Sequence, residues 1–146
     1  MHQKIVSFLE GQKVATICCV DDLNRPYCFS CFFAFDQENA RLYFKSSLNT
    51  RHSDLLLQRP AVSGTVQPDK LNPLAIKGIQ FTGEVLTDLR ETNASHARTV
   101  YHRNHPMALA MPGEVFAIEL HSIKMTDNTL SFGKKIMWEM AQEEPA

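Results

Sequence analysis

The chain has 146 residues, of which 44% are hydrophobic and 21% charged, enough apolar material for one buried core and too much for a disordered chain. Its formal net charge of -1 excludes the broad basic field of a nonspecific nucleic-acid binder, so any anion must be held by local placement of groups. No apolar run reaches the length that spans a bilayer.

In "MHQKIVSFLEGQ", Ile5, Phe8 and Leu9 recur at helical spacing ahead of Gly11. This predicts a short amphipathic helix, and the interrupted apolar pattern is unlike the continuous core of a signal peptide. Without an export signal, Cys18, Cys19, Cys28 and Cys31 are expected to stay reduced in a cytoplasm, as small hydrophobes buried within strand-like runs. "KVATICCV" predicts a buried strand and "DDLNRP" a turn. "YCFSCFFAFD" predicts an aromatic strand that passes through "QENA" into "RLYFKS". Three strands with short turns suggest an antiparallel meander. In the second, Phe29, Cys31 and Phe33 alternate to one face while Phe32 and Phe35 do not both take the other, so the strand is either covered on both faces or bulged.

"NTRHSDLLLQRP" predicts a helix capped by Asn49 or Thr50 and stopped by Pro60. "AVSGTVQ" reads as a strand. "LAIKGIQFTGEVLTDL" reads as a longer one, where Gly78 and Gly83 suggest a bend or the close approach of a ligand or another backbone. "ETNASHARTVYHRNHP" predicts a helix starting near Thr92 or Asn93. "MALAMPGE" is a loop, "VFAIELHSIKMTDN" an alternating strand and "LSFGKKIMWEM" a final strand-like piece before a frayed end over 141–146. Six or seven strands with two or three helices, and no repeats or linkers, suit an antiparallel barrel or an α+β sheet.

The third strand hands over to its helix through "YFKSSLNTRHSDLL", which crowds Ser46, Ser47, Asn49, Thr50, Arg51 and His52 into one turn. A helix N-terminus offers free N–H groups and partial positive charge. Hydroxyls of Ser46 and Thr50, the planar fork of Arg51 and the ring of His52 would complete a phosphate cradle. The alternative is that Asn49 and Thr50 only cap the helix while Arg51 points to water.

The succession "RPYCFSCFFAFDQENARLYFKSSLNTRHSDLL", followed by "IKGIQFTGEV", resembles the core of the pyridoxamine 5'-phosphate oxidase-like FMN-binding split barrels. "TDNTLSFGKKIMW" is similar to the ending of a small bacterial subgroup of that superfamily, so the resemblance covers most of the chain as far as Trp138. It implies a mainly β (α+β) fold: a six-stranded antiparallel split barrel with Greek-key connections and peripheral helices. It also implies one FMN-binding domain over 1–146 and a cytoplasmic homodimer with two FMN sites between the subunits. Ser46, Thr50 and Arg51 match the phosphate-binding positions, with Ser47 in the same turn. His52 stands where the oxidases carry lysine and replaces its charge only when protonated. Cys31, Phe32 and Phe33 match the strand beside the isoalloxazine ring, and Lys45 stands where an aromatic is common. Lys77, Gly78 and Gln80 would lie near the same pocket.

The resemblance further implies that the C-terminal "FGKKIMW" of one subunit reaches the other's flavin. Lys134, Lys135 and Trp138 would then line a substrate site, with Trp138 stacking on a planar ring. The ordinary reading of Trp138 is a core or interface aromatic. The chain departs from the oxidases at "MWEMAQEEPA", which lacks their basic motif for the substrate phosphate, so that vitamin-related activity is not carried over. What remains is an FMN-dependent oxidoreductase acting on a small molecule, with a flavin-binding or flavin-sensing protein and a split-barrel haem binder as rivals. No paired carboxylates or Ser-His-Asp order stand out, and a flavin protein needs none, because the cofactor performs the redox step.

Two other patterns compete. "CFSC" has the spacing of half a zinc knuckle, but strand positions three apart face opposite sides, as do the neighbours Cys18 and Cys19. Buried free thiols are therefore expected there. "HARTVYHRNH" offers His96, His102 and His105 to a metal or haem, against the more ordinary polar face of a surface helix.

Overall fold

The computed structural model describes residues 1–88, 94–128 and 134–141. In chain order its elements are α1 (Gln3–Gly11), β1 (Val14–Val20), β2 (Pro26–Phe32), β3 (Ala34–Asp36), β4 (Arg41–Ser46), α2 (Arg51–Gln58), β5 (Ala61–Val66), β6 (Lys77–Val85), α3 (Ala94–Asn104), β7 (Glu114–Asp127) and β8 (Lys135–Glu139). The expected loop after α3 contains a short 3-10 helix, Pro106–Ala110. The start of α3 that Thr92 or Asn93 was to mark, the Phe132–Gly133 part of "FGKKIMW" and the tail beyond 141 lie outside the described residues.

All strand pairings are antiparallel, in the order β2-β1-β5-β6-β7-β4-β3 with β8 added beside β7. β1 lies beside β5 and β4 beside β7, long-range neighbours of the kind a Greek-key connection produces. The count is eight strands where six were expected, and the successive pairings of the expected meander form with its middle strand bent. The aromatic strand is interrupted at Phe33, and its halves pair at opposite ends of the sheet, β2 with β1 and β3 with β4. One bent strand thus joins both ends and curls the sheet into a split barrel. Counted as one, β2 and β3 restore a six-strand ring, with β8 outside it.

No bulge is needed in that strand. Tyr27, Phe29, Cys31, Phe33 and Phe35 all pack toward the main core, and Phe32 alone among these phenylalanines points outward, 56% exposed. The core fills the barrel with Leu42, Phe44, Ile79, Phe81, Phe116, Ile118 and Ile123, and α1 closes one end with Ile5, Phe8 and Leu9. Full burial of one such side chain contributes about 1.5–3 kcal/mol. A second, smaller cluster forms outside the barrel, where Ala97 and Tyr101 of α3 cover Ala34 and Tyr43.

Between β6 and β7 the register shifts: Thr82 faces Ser122 but Gly83 faces Leu120, which leaves His121 as the extra residue. A side chain at Gly83 would run into the Glu119 carbonyl, so the expected close approach of another backbone occurs here. Gly78 has nothing nearer than the Val66 carbonyl at 3.8 Å. Among the described residues no helix is long and apolar enough to cross a membrane.

Candidate functional site

β4 alternates strictly. Leu42 and Phe44 point into the barrel and Ser46, the last residue, follows them inward, while Tyr43 and Lys45 point out. The chain then turns through Ser47–Asn49 and enters α2. Thr50 caps that helix, its Oγ1 accepting from the Ser53 N–H at 3.2 Å. The expected cap is therefore present, and around it the other hydroxyls converge. The Ser53 hydroxyl, fully buried, lies 2.8 Å from the Ser47 carbonyl, 2.8 Å from Thr50 Oγ1 and 3.2 Å from Ser46 Oγ. Ser46 Oγ is in turn 2.6 Å from His52 Nε2 and 3.3 Å from Thr50 Oγ1. These hydroxyls bond mainly to one another, and each can rotate its proton toward a new acceptor.

Two aromatic rings of β2 wall the corner. His52 stacks on Phe29 with ring centroids 3.9 Å apart and planes 11° from parallel. Arg51 is exposed, and its guanidinium sits 5.7 Å from the centroid of Tyr27. Among the described residues no carboxylate pairs with Arg51. Burial pulls the His52 imidazole below its ordinary value, so the neutral form prevails in the free corner. Gly113, at φ 138°, runs behind Ser46, where a Cβ would stand 3.0 Å from the Ser46 carbonyl carbon and oxygen. A side chain there would push the corner out of place.

Of the residues singled out from sequence, Ser46, Ser47, Thr50 and His52 come together through hydrogen bonds, while Arg51 opens α2 beside them with its guanidinium turned to the Tyr27 ring. Lys45 does not join them within the chain. It points to the opposite face of β4, where its ammonium donates to the Ala108 carbonyl at 2.8 Å and lies 3.0 Å from His102 Nε2. His102 Nδ1 lies 2.9 Å from the Arg98 carbonyl, which makes Nδ1 the donor and Nε2 the acceptor of the lysine proton. Cys31 faces inward two residues beyond Phe29, and burial pushes its thiol up to about 12. Phe33 is a core residue, whose carbonyl accepts from His105 Nε2 at 2.6 Å. Lys77 and Gln80 lie on β6, two strands away from β4. Lys135 is exposed and bonds Thr126, Lys134 is exposed, and Trp138 packs half-buried against the main core.

The expectation of four buried thiols needs correction. Only Cys19 is buried; Cys18 and Cys31 are intermediate and Cys28 is exposed, because even-numbered positions of β2 face outward. The helix histidines each have their own partner: His96 meets Asp36, His102 meets Lys45 and His105 meets Phe33. Among the described residues no three His, Cys, Asp or Glu side chains gather as a metal site. Sequence reasoning missed Ser53, Tyr27, Phe29 and Gly113. Ser53 was legible as the third residue after the cap, whereas Tyr27, Phe29 and Gly113 reach the corner through long-range pairing.

The sheet, closed through a bent strand, with a hydroxyl-rich turn into a helix at its rim, is a split barrel of the α+β type. No protein-family profile matches the chain. The UPF0306 protein of Photorhabdus laumondii is 38% identical over 139 residues, covering 94% of each chain, and that of Yersinia enterocolitica is 36% identical over 140 residues. The chain belongs to the UPF0306 family. Among solved structures, a haem-binding protein from Mycobacterium smegmatis superposes with a TM-score of 0.75 at 12% identity, over 90% of this chain and 55% of its own, so the chain spans about half of that neighbour. A FAD-binding protein from Mesorhizobium loti gives 0.67 at 17% identity, over 86% and 93%. A Clostridium acetobutylicum protein of the pyridoxinephosphate oxidase family gives 0.65 at 10% identity, over 94% and 93%. At these identities the likeness is one of fold.

Proposed function

We propose that the protein binds FMN, with the phosphate at the Ser46–His52 corner, and serves as a flavin-dependent oxidoreductase for a small molecule. The reading takes residues 1–146 as one FMN-binding domain that works as a cytoplasmic homodimer, with a flavin between the subunits. The observation that carries it is the turn into α2: the helix N-terminus with the linked hydroxyls of Ser46, Thr50 and Ser53, and Arg51 as the first helical residue, a cation without a carboxylate partner among the described residues. A phosphate ester accepts from each of these groups, and charge-assisted bonds to it are the strong ones. When bound, the flavin would supply hydride or electron transfer. The chain's own part is to hold the phosphate at Arg51 and the turn hydroxyls, to admit a proton at His52 Nε2 and to place β2 beside the ring. Cys31 and Phe32 of β2, Lys77 and Gln80 of β6, and the partner copy's Lys135 and Trp138 are the groups assigned to the ring and substrate side. Lys45 enters the same assignment only across the subunit boundary.

The flavin reading is supported by the FAD-binding and pyridoxinephosphate oxidase-family neighbours, and the haem-binding neighbour favours a second reading. Of the groups singled out for haem, His96, His102 and His105 would each have to leave a present partner to ligate an iron. Mass spectrometry and absorption spectra of the copurifying small molecule decide. Flavin bands with a mass matching FMN are expected, and a Soret band would transfer the site to haem. Bleaching of the bound flavin by a nicotinamide donor would separate an enzyme from a flavin sensor.

A further inference from the structure

Cys18 and Cys28 occupy directly opposed positions on β1 and β2, and both point to the outer face of the sheet. Their sulfurs are 2.9 Å apart, and both thiols are free. Opposed residues of an antiparallel pair have Cα atoms about 4.5–5.5 Å apart, within the span of about 4.4–6.8 Å that a disulfide bridges. A bond of about 2.05 Å therefore needs only side-chain rotation and a small approach of the strands. The two remaining cysteines are placed differently: Cys19 and Cys31 face the core, and Cys19 donates to the Tyr27 carbonyl at 3.4 Å. Cys28 is exposed, while Cys18 is partly covered and lines an open groove of about 430 Å³ with Ser63, Gln80 and Met137.

We propose that Cys18 and Cys28 form a reversible dithiol–disulfide couple, oxidised by low-molecular-weight disulfides such as oxidised glutathione. The thiolate of Cys28, the accessible member, attacks one glutathione sulfur and releases the first glutathione as its thiol. The thiolate of Cys18 then attacks the Cys28 sulfur of the mixed disulfide and releases the second. One S–S bond is broken and one is formed. The pair loses two electrons, and the two thiol protons end on the two glutathiones. Burial and the hydrogen bond with Cys28 raise the Cys18 thiol to about 11, which disfavours Cys18 as the first attacker and leaves that step to the exposed Cys28. Exposure keeps the bond reachable by reductant, as in labile disulfides. The proposal is independent of what the Ser46 corner binds.

The test equilibrates the full-length protein with graded glutathione redox buffers, quenches with a maleimide and counts free thiols by intact mass. Cleavage ahead of Asp21 and Asp22 separates the Cys18 peptide from the Cys28 peptide. Oxidising buffer should lower the free thiols from four to two without a glutathione adduct, link those peptides within one chain, and release them again in reducing buffer. A variant with Cys19→Ala and Cys31→Ala should behave identically, going from two thiols to none. Cys18→Ser should accumulate one stable glutathione adduct at Cys28. Four thiols persisting in wild type, a stable adduct on wild-type Cys28, a bond between two chains or a link through Cys19 or Cys31 would each overturn the proposal.

Discussion

β4 carries a polar cluster on each face, and the two differ in whether their charge is already matched. On the outer face, Asp36 receives the Tyr43 hydroxyl at 2.6 Å, the Asn39 amide at 2.8 Å and the Asn39 N–H at 3.2 Å, and His96 lies 3.2 Å away. Burial pulls the Asp36 carboxyl up, but the bonds from Asn39 and Tyr43, with His96 alongside, hold it below the usual range. The same contact, after burial, pushes the Tyr43 phenol up. On the inner face, three residues further on, hydroxyls bond to hydroxyls and Arg51 rests on a ring. One cluster closes on itself and fastens the hairpin between β3 and β4. The other satisfies its hydroxyls within the turn and leaves its cation without a carboxylate partner among the described residues.

The largest effect expected is from Phe44→Ala, which lies between the two clusters and stacks on Phe116 at 5.1 Å. Loss of about 3–5 kcal/mol in urea unfolding should follow, with both clusters affected. Tyr43→Phe should touch only the closed cluster: about 1.5–3 kcal/mol of stability, the worth of a hydrogen bond to a charged group, with FMN affinity unmoved. Arg51→Ala should do the reverse, lowering FMN affinity in a fluorescence titration by about 1.5–3 kcal/mol with an unchanged unfolding midpoint. If Arg51→Ala instead destabilised the fold and spared binding, the contrast between the faces would be lost.

The smallest effect concerns protons. Burial holds the free His52 below its ordinary value, so its neutral form contributes stability that is present above about pH 6.5 and declines as pH falls below it. On the proposed FMN reading a phosphate at the corner would reverse that preference, so binding should take up a proton and affinity should rise as pH falls through the same window. Calorimetry in buffers of different ionisation enthalpy would read the uptake, and His52→Gln should remove it. Equal proton uptake in that variant would exclude the imidazole.

Much of this was readable from local pattern. Two-residue alternation assigns Leu42 and Phe44 inward, and the run from Ser46 to His52 announces a turn into a capped helix. The same alternation would have put Lys45 on the face opposite Ser46, although the family resemblance drew it toward the ring. What local pattern does not contain is register across the sheet. The separation of β2 from β3 to opposite ends depends on β1 and β4 choosing different partners. The pairing of Cys18 with Cys28 depends on the hairpin through Asp21–Arg25, where Asp21 takes the Leu23 and Arg25 N–H groups at 2.9 and 2.8 Å. Comparing Cys28 only with Cys31 along one strand conceals it.

The joint at Phe33 has a thermodynamic consequence for any guest. β2 and β4 meet through side chains, Phe29 against Phe44 at 5.8 Å, with no shared ladder between them. A guest entering at that seam would displace rings and would leave the interstrand N–H groups of the described ladders with their partners. Amide exchange in β1 and β7 should therefore be indifferent to occupancy, and the cost of opening should scale with aromatic contact and not with broken sheet.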